Sequence, residues 1–411
     1  MAYPVPHLFA ADSPAATLPR HDAADAVSSA PAGMPIRVEW RDSLAWAALR
    51  APWDDLAGRA LEPNVFYEPG FAIPAARVFG REIGAVLVWS LQQPIRLLGF
   101  FPGRVEPARY GIGLPLFLGW THPYAPLGTP LVDRDEAATA IAAWLDFLQR
   151  EPGMPPLALL PFLPEHGAFT QALTTTLAER GGRVAGAGRH QRALLAPADA
   201  ARAGYIGAGL SKKKRKDLAR QRRKLLQRGP VSLRAAATAI ELPLALADFM
   251  ALEARGWKGR AGTAAQQDAA TRQFMREALS GLAAAGQARI DRLMVADQPV
   301  AAAITLRSRD TAWFWKIAYD ETQSAASPGV QLTIDMTHRL LAEDLRQVDS
   351  CATADHPMID RLWRERLTIS DRLIAAGPDT RLGFTLALAL EHARGVALRL
   401  IKGTRNRLGR S

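Results

Sequence analysis

Three strand-like segments follow one another in the second half of the chain, and they constrain the fold more than any other feature. The turn-forming sequences Asp297-Gln298-Pro299 and Ser308-Arg309-Asp310 separate them. Linkers this short join antiparallel neighbours. A helix and one more strand follow, so the pattern predicts a mixed α/β fold with a largely antiparallel sheet flanked by helices. The segments are Ala288–Val295, Val300–Arg307 and Ala312–Tyr319, then the helix Val330–Glu343 and a strand at Val348.

The first half shows a similar alternation of strands and helices, which predicts a tandem duplication of one unit. We expect a disordered leader over 1–34, a first domain over 35–200, a second domain over 201–380, and an amphipathic helix with a basic tail over 381–411. The Ala, Pro and Ser content of the leader favours disorder. After the strand at Val348, the segment Pro357–Ile369 is predicted to be helical.

The positive charge of the chain lies in two segments. The formal net charge is +11. Ser211–Gly229 carries five Lys, five Arg and one Asp, a net +9, and Arg394–Ser411 carries six basic residues, so the remainder is slightly acidic. Leucines at near-helical spacing predict that the first segment is a helix. This basic helix is either a solvated surface or a site for the phosphates of a cofactor, RNA or lipid.

Several classes of protein are excluded. The single cysteine, Cys351, excludes an internal disulfide and a cysteine-rich zinc site, and no spacing of His, Asp and Glu suggests a metal. The longest stretch without a charged residue, Tyr110–Val132, contains four prolines, so no membrane span is predicted. The first 34 residues lack the pattern of a signal peptide. We therefore expect a cytoplasmic protein.

The segment between the third strand and the following helix suits an anion. Ser327 can cap the helix with its hydroxyl, Pro328 suits the first helical position, and Gly329 allows a ligand to approach the backbone. The helix dipole then favours a negative charge before the unpaired N–H groups. An ordinary capped helix start would have the same sequence. The candidate cofactor-binding residues are Ser327, Pro328, Gly329, Val330 and Gln331.

The corresponding helix of the first half starts differently. The sequence Val132-Asp133-Arg134-Asp135-Glu136 precedes it. These acids stabilise a helix N-terminus by themselves and would repel a phosphate. If the halves are related, only the second should bind a cofactor.

Four segments carry a resemblance to a known family. In order and spacing they resemble the CelD-like branch of the GNAT acyltransferase superfamily, whose members often carry names from cellulose or exopolysaccharide biosynthesis. A more distant similarity relates the chain to FemABX aminoacyltransferases. The resemblance spans most of Ile36–Leu373. The segments are Glu62–Gly80 (EPNVFYEPGFAIPAARVFG), Leu210–Gly229, Leu252–Ala264 (LEARGWKGRAGTA), and Arg289–Leu373 with its VAAAITL strand, KIAYDE strand end and SPGVQL helix start.

The resemblance implies two GNAT-like domains, of which the second binds acetyl-CoA or another acyl-CoA and the first is non-catalytic. GNAT proteins splay two central strands, hold the pantetheine between them and bind the diphosphate at the next helix start. Carried over, Ser327–Gln331 occupy that start. The usual GNAT loop has Gln or Arg and two glycines, whereas Gly329 stands alone here. FemABX relatives use charged tRNA instead of CoA.

Acyl transfer to an amine needs a base, donors that polarise the thioester carbonyl, and an acid for the leaving thiolate. Tyr319 ends the third strand beside the loop, so its hydroxyl is the candidate acid. Asp349, after an apolar strand residue, and Glu253, on a helix, are the candidate bases. The alternatives are a core tyrosine, a capping carboxylate and an exposed helix acid. Cys351 is expected to be buried and inert.

Four more residues are candidate substrate-binding groups. Trp315 shares a strand face with Trp313 and could form a wall of the acceptor pocket. Lys258, next to Trp257 in a Gly-rich loop, could hold an anionic group, and Asp320 could bind the amine. Core packing and solvated loop positions are the alternatives.

The segment Leu382–Lys402 is predicted to be an amphipathic helix. Its expected apolar side contains Leu386, Leu390, Ala393 and Ala397, and basic residues crowd its end. Packing on the body of the protein is the expected role, and contact with an anionic membrane is the alternative.

These observations favour an acyl-CoA-dependent N-acyltransferase. Its acceptor would be a small amine, for example an amino sugar or a sugar-linked amine in polysaccharide or cell-envelope metabolism. One alternative is a transferase that uses aminoacyl-tRNA, with the basic helix as the RNA-binding element. The other is a non-catalytic scaffold of a polysaccharide-making complex, docked to lipid through the basic segments.

Overall fold

The computed structural model describes Val27–Ser28 and residues 34–408. The predicted leader over 1–34 therefore lies outside the described residues, apart from Val27–Ser28 and Met34. The described residues form fourteen strands. They are β1 (Val27–Ser28), β2 (Ile36–Asp42), β3 (Gly84–Ser90), β4 (Arg96–Glu106), β5 (Leu116–Gly119), β6 (Leu131–Val132), β7 (Leu157–Pro164), β8 (Arg183–Leu195), β9 (Val231–Ala236), β10 (Ala288–Val295), β11 (Gln298–Ser308), β12 (Thr311–Tyr319), β13 (Gln347–Asp349) and β14 (Glu365–Ala375).

The same residues form twelve α-helices and several short 3-10 turns, among them Glu321–Ala326 and Ile359–Arg361. The helices are α1 (Arg50–Arg59), α2 (Pro69–Phe79), α3 (Ala137–Arg150), α4 (Ala168–Glu179), α5 (Asp199–Arg202), α6 (Tyr205–Gly209), α7 (Lys212–Leu226), α8 (Leu242–Arg255), α9 (Trp257–Arg260), α10 (Ala269–Ala283), α11 (Pro328–Ala342) and α12 (Arg381–Leu408).

The chain divides into two compact units that are not consecutive in sequence. The C-terminal unit contains 70–79 and 191–367, and the N-terminal unit contains the other described residues. The predicted boundaries at 200/201 and 380/381 treat the two halves as consecutive, so they differ from this division. The difference arises because α2 packs in the C-terminal unit, where the Phe71 ring meets Phe274 of α10 at 5.3 Å between centroids.

The N-terminal unit is built on strands in the order β1-β2-β3-β4-β5-β7-β14. Neighbouring strands are antiparallel except β5 and β7, which are parallel. Its core lies between α3, α4 and the sheet, and Trp144 of α3 stacks on Phe101 of β4 with 4.8 Å between ring centroids. The unit therefore has the largely antiparallel, helix-flanked sheet that the sequence predicts.

The C-terminal unit also has a largely antiparallel sheet, in which three strands follow one another directly as hairpins. Strands β9, β10, β11 and β12 are antiparallel neighbours, and β13 lies parallel to β12. Ala296 and Asp297 in the β10–β11 turn both have positive φ, 45° and 65°. Two-residue hairpins require this conformation because its twist matches that of the strands. The predicted order of three antiparallel strands, a helix and one more strand is confirmed, and the structure adds that this last strand is parallel to β12.

The start of α11 is fixed by packing on the C-terminal sheet. Ala301 and Ala303 of β11 are buried against Leu332 and Met336 of α11, in one hydrophobic cluster. Small residues on the strand let the helix approach closely. Each fully buried Leu or Met contributes about 1.5–3 kcal/mol relative to an exposed one. The first turn of α11 is therefore held at a defined place after β12.

The predicted helix over Pro357–Ile369 is wrong. A single 3-10 turn, Ile359–Arg361, is followed by the strand β14 from Glu365. The turn and the residues after it bury Ile359, Leu362 and Trp363, which explains the helical spacing in the sequence. Beyond Trp363 the chain is extended because β14 pairs with β7 from Ile369 to Ala375.

Helix α12 packs on the N-terminal unit, but through a different side from the predicted one. Phe384 and Ala387 are buried, and Glu391 forms a two-point ion pair with Arg109 at 3.0 Å. Leu386, expected on the apolar side, is 47% exposed. Within the residues that the structure describes, no helix combines the length and the apolar character that a bilayer span requires.

Candidate active site

The strands before and after α11 separate along their length. Strands β12 and β13 pair over three residues, Thr311–Trp313 with Gln347–Asp349. Among the described residues, the rest of β12, from Phe314 to Tyr319, has strand partners only in β11. Beyond Trp313, β12 and β13 no longer pair with each other, and we call the region between them, from Phe314 towards the start of α11, the gap.

A β-bulge in β12 borders this gap. Ile304 of β11 pairs with Lys316, and Thr305 pairs with Phe314, so Trp315 is the extra residue. Bulges re-aim side chains and are frequent beside active sites. Trp315 is buried edge-on against aromatic rings of α2 and α10. It therefore belongs to the packed wall behind the gap.

Helix α11 begins after a residue in the left-handed conformation. Ser327 has a φ of 50°, and its hydroxyl donates to the Ser324 carbonyl at 3.3 Å, so the predicted hydroxyl cap is not formed. The Gln331 amide donates to the Ser327 carbonyl at 3.1 Å and is unavailable to a ligand, contrary to the prediction. The hydrogen bonds of the described residues leave the amides of Gly329 and Val330 unused. Two donors thus remain at the helix start.

Gly329 packs against the ring of Tyr319. A Cβ at Gly329 would lie 2.8 Å from Cδ1 of Tyr319, so the close approach requires glycine. Tyr319 is 37% exposed, and burial together with Glu321 raises the pKa of its hydroxyl. The hydroxyl therefore keeps its proton at neutral pH and can donate a hydrogen bond.

The basic helix α7 packs beside the start of α11. Gln331 Nε2 donates to the Leu218 carbonyl at 3.0 Å, and Arg222 pairs with Asp335 at 2.8 Å. Leu218 and Leu225 of α7 are buried, whereas most of its Lys and Arg side chains are exposed. The positive charge of α7 therefore lies next to the two unused amides and adds to their preference for an anion.

The start of α3 in the N-terminal unit has no comparable arrangement. Glu136 stands at its N-cap position, and the buried Asp133 pairs with Arg59. Asp133 also accepts a hydrogen bond from the Asp135 amide at 2.9 Å. The acidic start that the sequence indicates is thus built into the fold of this unit.

Asp320 and Glu321 organise the segment between β12 and α11. Asp320 accepts from the Thr322 amide at 3.0 Å and caps the turn Glu321–Ala326. Glu321 accepts from the Trp257 amide at 2.8 Å and from Arg260 at 2.6 Å. Helix α9 is thus attached to the loop before α11. Asp320 and the Trp257 amide therefore already have hydrogen-bond partners within the protein. These contacts give no support to the predicted role of the two residues in binding the substrate.

Glu253 is buried near the end of α8. Its carboxylate accepts from Lys258 Nζ at 2.5 Å and from the Ala265 amide at 2.9 Å. Burial raises the pKa of Glu253, but the charges of Lys258 and Lys316 and these hydrogen bonds outweigh burial, so the pKa lies below its usual value. A carboxylate that is ionised and occupied in this way is a weak proton acceptor.

Lys316 is the site residue that sequence reasoning missed. It follows the bulge residue Trp315, is partly buried, and has its Nζ 5.4 Å from the Trp315 ring centroid. Burial lowers the pKa of Lys316 to about 7, the charge of Lys258 adds to this effect, and Glu253 and Cys351 oppose it. The available signal was one lysine in the otherwise uncharged strand TAWFWKIAY.

Asp349 forms a buried ion pair and does not present an open carboxylate. It pairs with Arg192, each side chain being 3% exposed, and it accepts from the Cys351 amide at 2.9 Å. Its position holds the end of β13, which gives no support to the predicted catalytic role. Burial and the charge of Asp349 raise the pKa of the Cys351 thiol, so the thiol stays protonated.

One known protein family matches the part of the chain that contains this candidate site. Residues 212–356 match the family described as acetyltransferase (GNAT) domain. The match begins in α7 and ends after β13, so it includes the gap, the bulge and the start of α11. No curated protein matches the chain. Within the described part of the chain, no group of three or more His, Cys, Asp or Glu residues could hold a metal ion.

Solved structures resemble the chain over most of its length at low identity. The C-terminal domain of a putative lysylphosphatidylglycerol synthetase from Agrobacterium fabrum is 11% identical, with 84% of this chain and 96% of that chain covered and a TM-score of 0.50. FemX is 8% identical, with 80% and 97% covered and a TM-score of 0.50. A tandem GNAT protein from the clavulanic acid biosynthesis pathway is 14% identical, with 83% and 99% covered and a TM-score of 0.40. The two structures with a TM-score of 0.50 share the fold of the chain, and the segment 212–356 of the C-terminal unit matches a GNAT acetyltransferase domain.

Proposed function

We propose that the protein transfers an acyl group from acyl-CoA to an amine and that the C-terminal unit is the catalytic one. The observation that carries this proposal is the gap beside β12, which ends at the unused amides of Gly329 and Val330. The dipole of α11 and the exposed basic side chains of α7 favour a diphosphate there. The acidic start of α3 offers no such site.

The donor fits this gap in one direction. With the diphosphate at α11, the pantetheine arm lies along Phe314–Tyr319, on the side of β12 that no longer pairs with β13. Six residues of extended strand span about 20 Å. The thioester then reaches the bulge at Trp315.

The chemistry uses backbone donors and one phenol. Amides on the open edge of β12 polarise the thioester carbonyl, which stabilises the oxyanion that forms on attack. Tyr319 packs against Gly329 at the diphosphate end of this strand, so its protonated hydroxyl donates a hydrogen bond to the donor there, and the leaving thiolate takes a proton from solvent. The acceptor in this proposal is a small amine such as an amino sugar or sugar-linked amine. Because the proposed donor is acyl-CoA, the proposed location is the cytoplasm.

Isothermal titration calorimetry tests the donor. We expect acetyl-CoA and CoA to bind, and acetyl-pantetheine, which lacks the diphosphate, to bind at least about 100-fold more weakly, because it forfeits charge-assisted hydrogen bonds worth about 1.5–3 kcal/mol each. Several acyl chain lengths should be titrated. Absence of binding by every CoA derivative would reject the proposal.

Transfer from aminoacyl-tRNA is the second candidate, and the exposed Lys and Arg side chains of α7 favour it. Each phosphate that these side chains neutralise would release counterions, so the affinity for tRNA would fall steeply with salt. Filter binding of aminoacyl-tRNA at 50 and 200 mM salt distinguishes the candidates. Absent or salt-insensitive binding removes this one.

A further inference from the structure

We propose that α12 attaches the protein to an anionic lipid surface through an apolar stripe that lies exposed along the helix. This inference does not depend on the proposed acyl transfer. The members of the stripe alternate at intervals of four and three residues, which places them on one side of a helix. They are Leu382, Leu386, Ala389, Ala393 and Val396, and all of them are exposed.

The opposite side of α12 is occupied by contacts with the N-terminal unit. Phe384 and Ala387 are buried in one hydrophobic cluster with Leu159 of β7. Glu391 forms its two-point ion pair with Arg109 at 3.0 Å. Each of these three α12 residues is two positions, or about 200° of rotation, from a member of the stripe. The contacts with the unit therefore hold the helix with its stripe towards solvent.

The stripe exposes large aliphatic side chains in a row. Leu382 is 88% exposed, Leu386 47% and Val396 48%. Single exposed leucines are common on protein surfaces, whereas aligned ones mark an interaction surface. The stripe has aliphatic side chains and no aromatic ring on which a nucleic-acid base could stack. It therefore suits the acyl chains at a bilayer surface better than RNA.

The charge beside the stripe indicates that the surface is anionic. Residues 394–411 carry six basic residues and no acidic one. The single acidic residue of 381–411, Glu391, is already paired with Arg109. Such a segment repels a second copy of itself and is attracted to anionic headgroups, each basic residue near the surface adding roughly fivefold to the affinity. An anionic bilayer satisfies both features, because its headgroups attract the basic residues and its acyl chains take up the stripe.

Vesicle binding by stripe variants tests the proposal. The full chain is sedimented with phosphatidylcholine vesicles that contain about one third phosphatidylglycerol, and with phosphatidylcholine vesicles alone. We expect binding to the anionic vesicles, and binding at least about tenfold weaker for the double variant Leu382→Ser, Leu386→Ser, because two leucines no longer enter the bilayer. No binding by the unsubstituted protein would overturn the proposal.

A second double variant is the matched control. Ile240 and Leu244, before and at the start of α8, are 91% and 66% exposed and lie outside the stripe. Ile240→Ser with Leu244→Ser removes the same amount of exposed apolar surface, or nearly so, and should change vesicle affinity by less than about twofold. Equal losses in the two double variants would show that exposed apolar residues in general cause the binding, and the stripe would be rejected.

A fluorescent label tests which side of α12 meets the lipid and does not require the loss of a stripe leucine. Ala389→Cys and Leu398→Cys, each in a Cys351→Ala background, carry an environment-sensitive dye. Leu398 is exposed and nine positions after Ala389, so it lies on the opposite side of the helix. Anionic vesicles should shift the emission of the dye at 389 to shorter wavelength and leave the dye at 398 unchanged. Equal shifts at both positions would overturn the proposed orientation.

Two other partners of the stripe would give different results. If the stripe joined two copies of the chain, sedimentation velocity without lipid would show a dimer that Leu382→Ser with Leu386→Ser dissociates. We expect the same mass for both proteins. If the basic residues served RNA, the unsubstituted protein would bind tRNA in preference to anionic vesicles, and the double variant would bind vesicles as the unsubstituted protein does. Either result would overturn the proposal.

Discussion

A single negative charge at Ser327 should separate ligand binding from stability. Ser327 is partly exposed, precedes the amides of Gly329 and Val330, and has a φ of 50°. Asn and Asp are the non-glycine residues that tolerate this conformation best. Ser327→Asp therefore adds a charge with little backbone strain, and Ser327→Asn is its neutral control of nearly equal shape.

The size of the effect follows from the distance. A carboxylate at Ser327 would lie about 6 Å from an anion bonded to the Gly329 and Val330 amides, since consecutive Cα atoms are about 3.8 Å apart. At an effective dielectric constant between 20 and 80, the repulsion per ligand charge is about 0.7–3 kcal/mol. Ser327→Asp should weaken acetyl-CoA binding by about 10- to 100-fold. Ser327→Asn should change it by less than about threefold.

Thermal unfolding provides the control. An acidic residue at a helix N-terminus stabilises it by about 0.3–1 kcal/mol, so Ser327→Asp should unfold no earlier than the unsubstituted protein. Calorimetry at 50 and 300 mM salt should show the affinity loss shrinking with salt, because the charges are partly exposed. Equal affinity in the Asp and Asn variants would refute an anion site at the start of α11.

Other predictions concern stability and surface contacts. The pKa of Lys316 is about 7 in the folded state and about 10.4 in the unfolded chain. Between these two pH values the unfolded chain binds more protons, so the free energy of unfolding rises with pH. Lys316→Met should therefore stabilise the fold most at pH 7 and below, and urea titrations should show this gain shrinking towards pH 10. Arg192→Met should cost about 3–5 kcal/mol in urea unfolding because it leaves the Asp349 charge buried, and Arg192→Met combined with Asp349→Leu should recover much of this loss. Gly329→Ala should displace the Tyr319 ring and weaken acetyl-CoA binding, whereas Gly395→Ala, which meets no neighbour, should leave affinity unchanged in calorimetry. The basic residues from Arg394 to the C-terminus should make the protein co-sediment with phosphatidylglycerol vesicles but not with phosphatidylcholine vesicles, and truncation after residue 393 should abolish this co-sedimentation.

The order of elements could be predicted because local chemistry dictates it. Turn residues such as Asp297 mark hairpins, and Pro328 with Gly329 marks a helix start, so β10, β11, β12 and α11 follow from the sequence. The helix prediction for Pro357–Ile369 was wrong because its apolar residues have helical spacing but are buried by a 3-10 turn and the residues after it. Pairing of β14 with the distant β7 decided its conformation, and such long-range pairing leaves little local signal.

The partners of the site residues could not be predicted in the same way. Whether Glu253 is exposed or buried depends on where Lys258 and the Ala265 amide fold back onto it. The Gln331 amide and side chain are used for the Ser327 carbonyl and for α7, a contact across 113 positions of sequence. Lys316 has an unusual pKa only because burial and Lys258 act together on it. These effects arise from tertiary packing, which residue spacing does not encode.

A crystal structure of the full chain with bound CoA tests the central claim most directly. The account predicts the pantetheine in the gap beside Phe314–Tyr319 and diphosphate oxygens within about 2.7–3.2 Å of the Gly329 and Val330 amides. CoA bound at another place on the C-terminal unit, or at the start of α3, would contradict it.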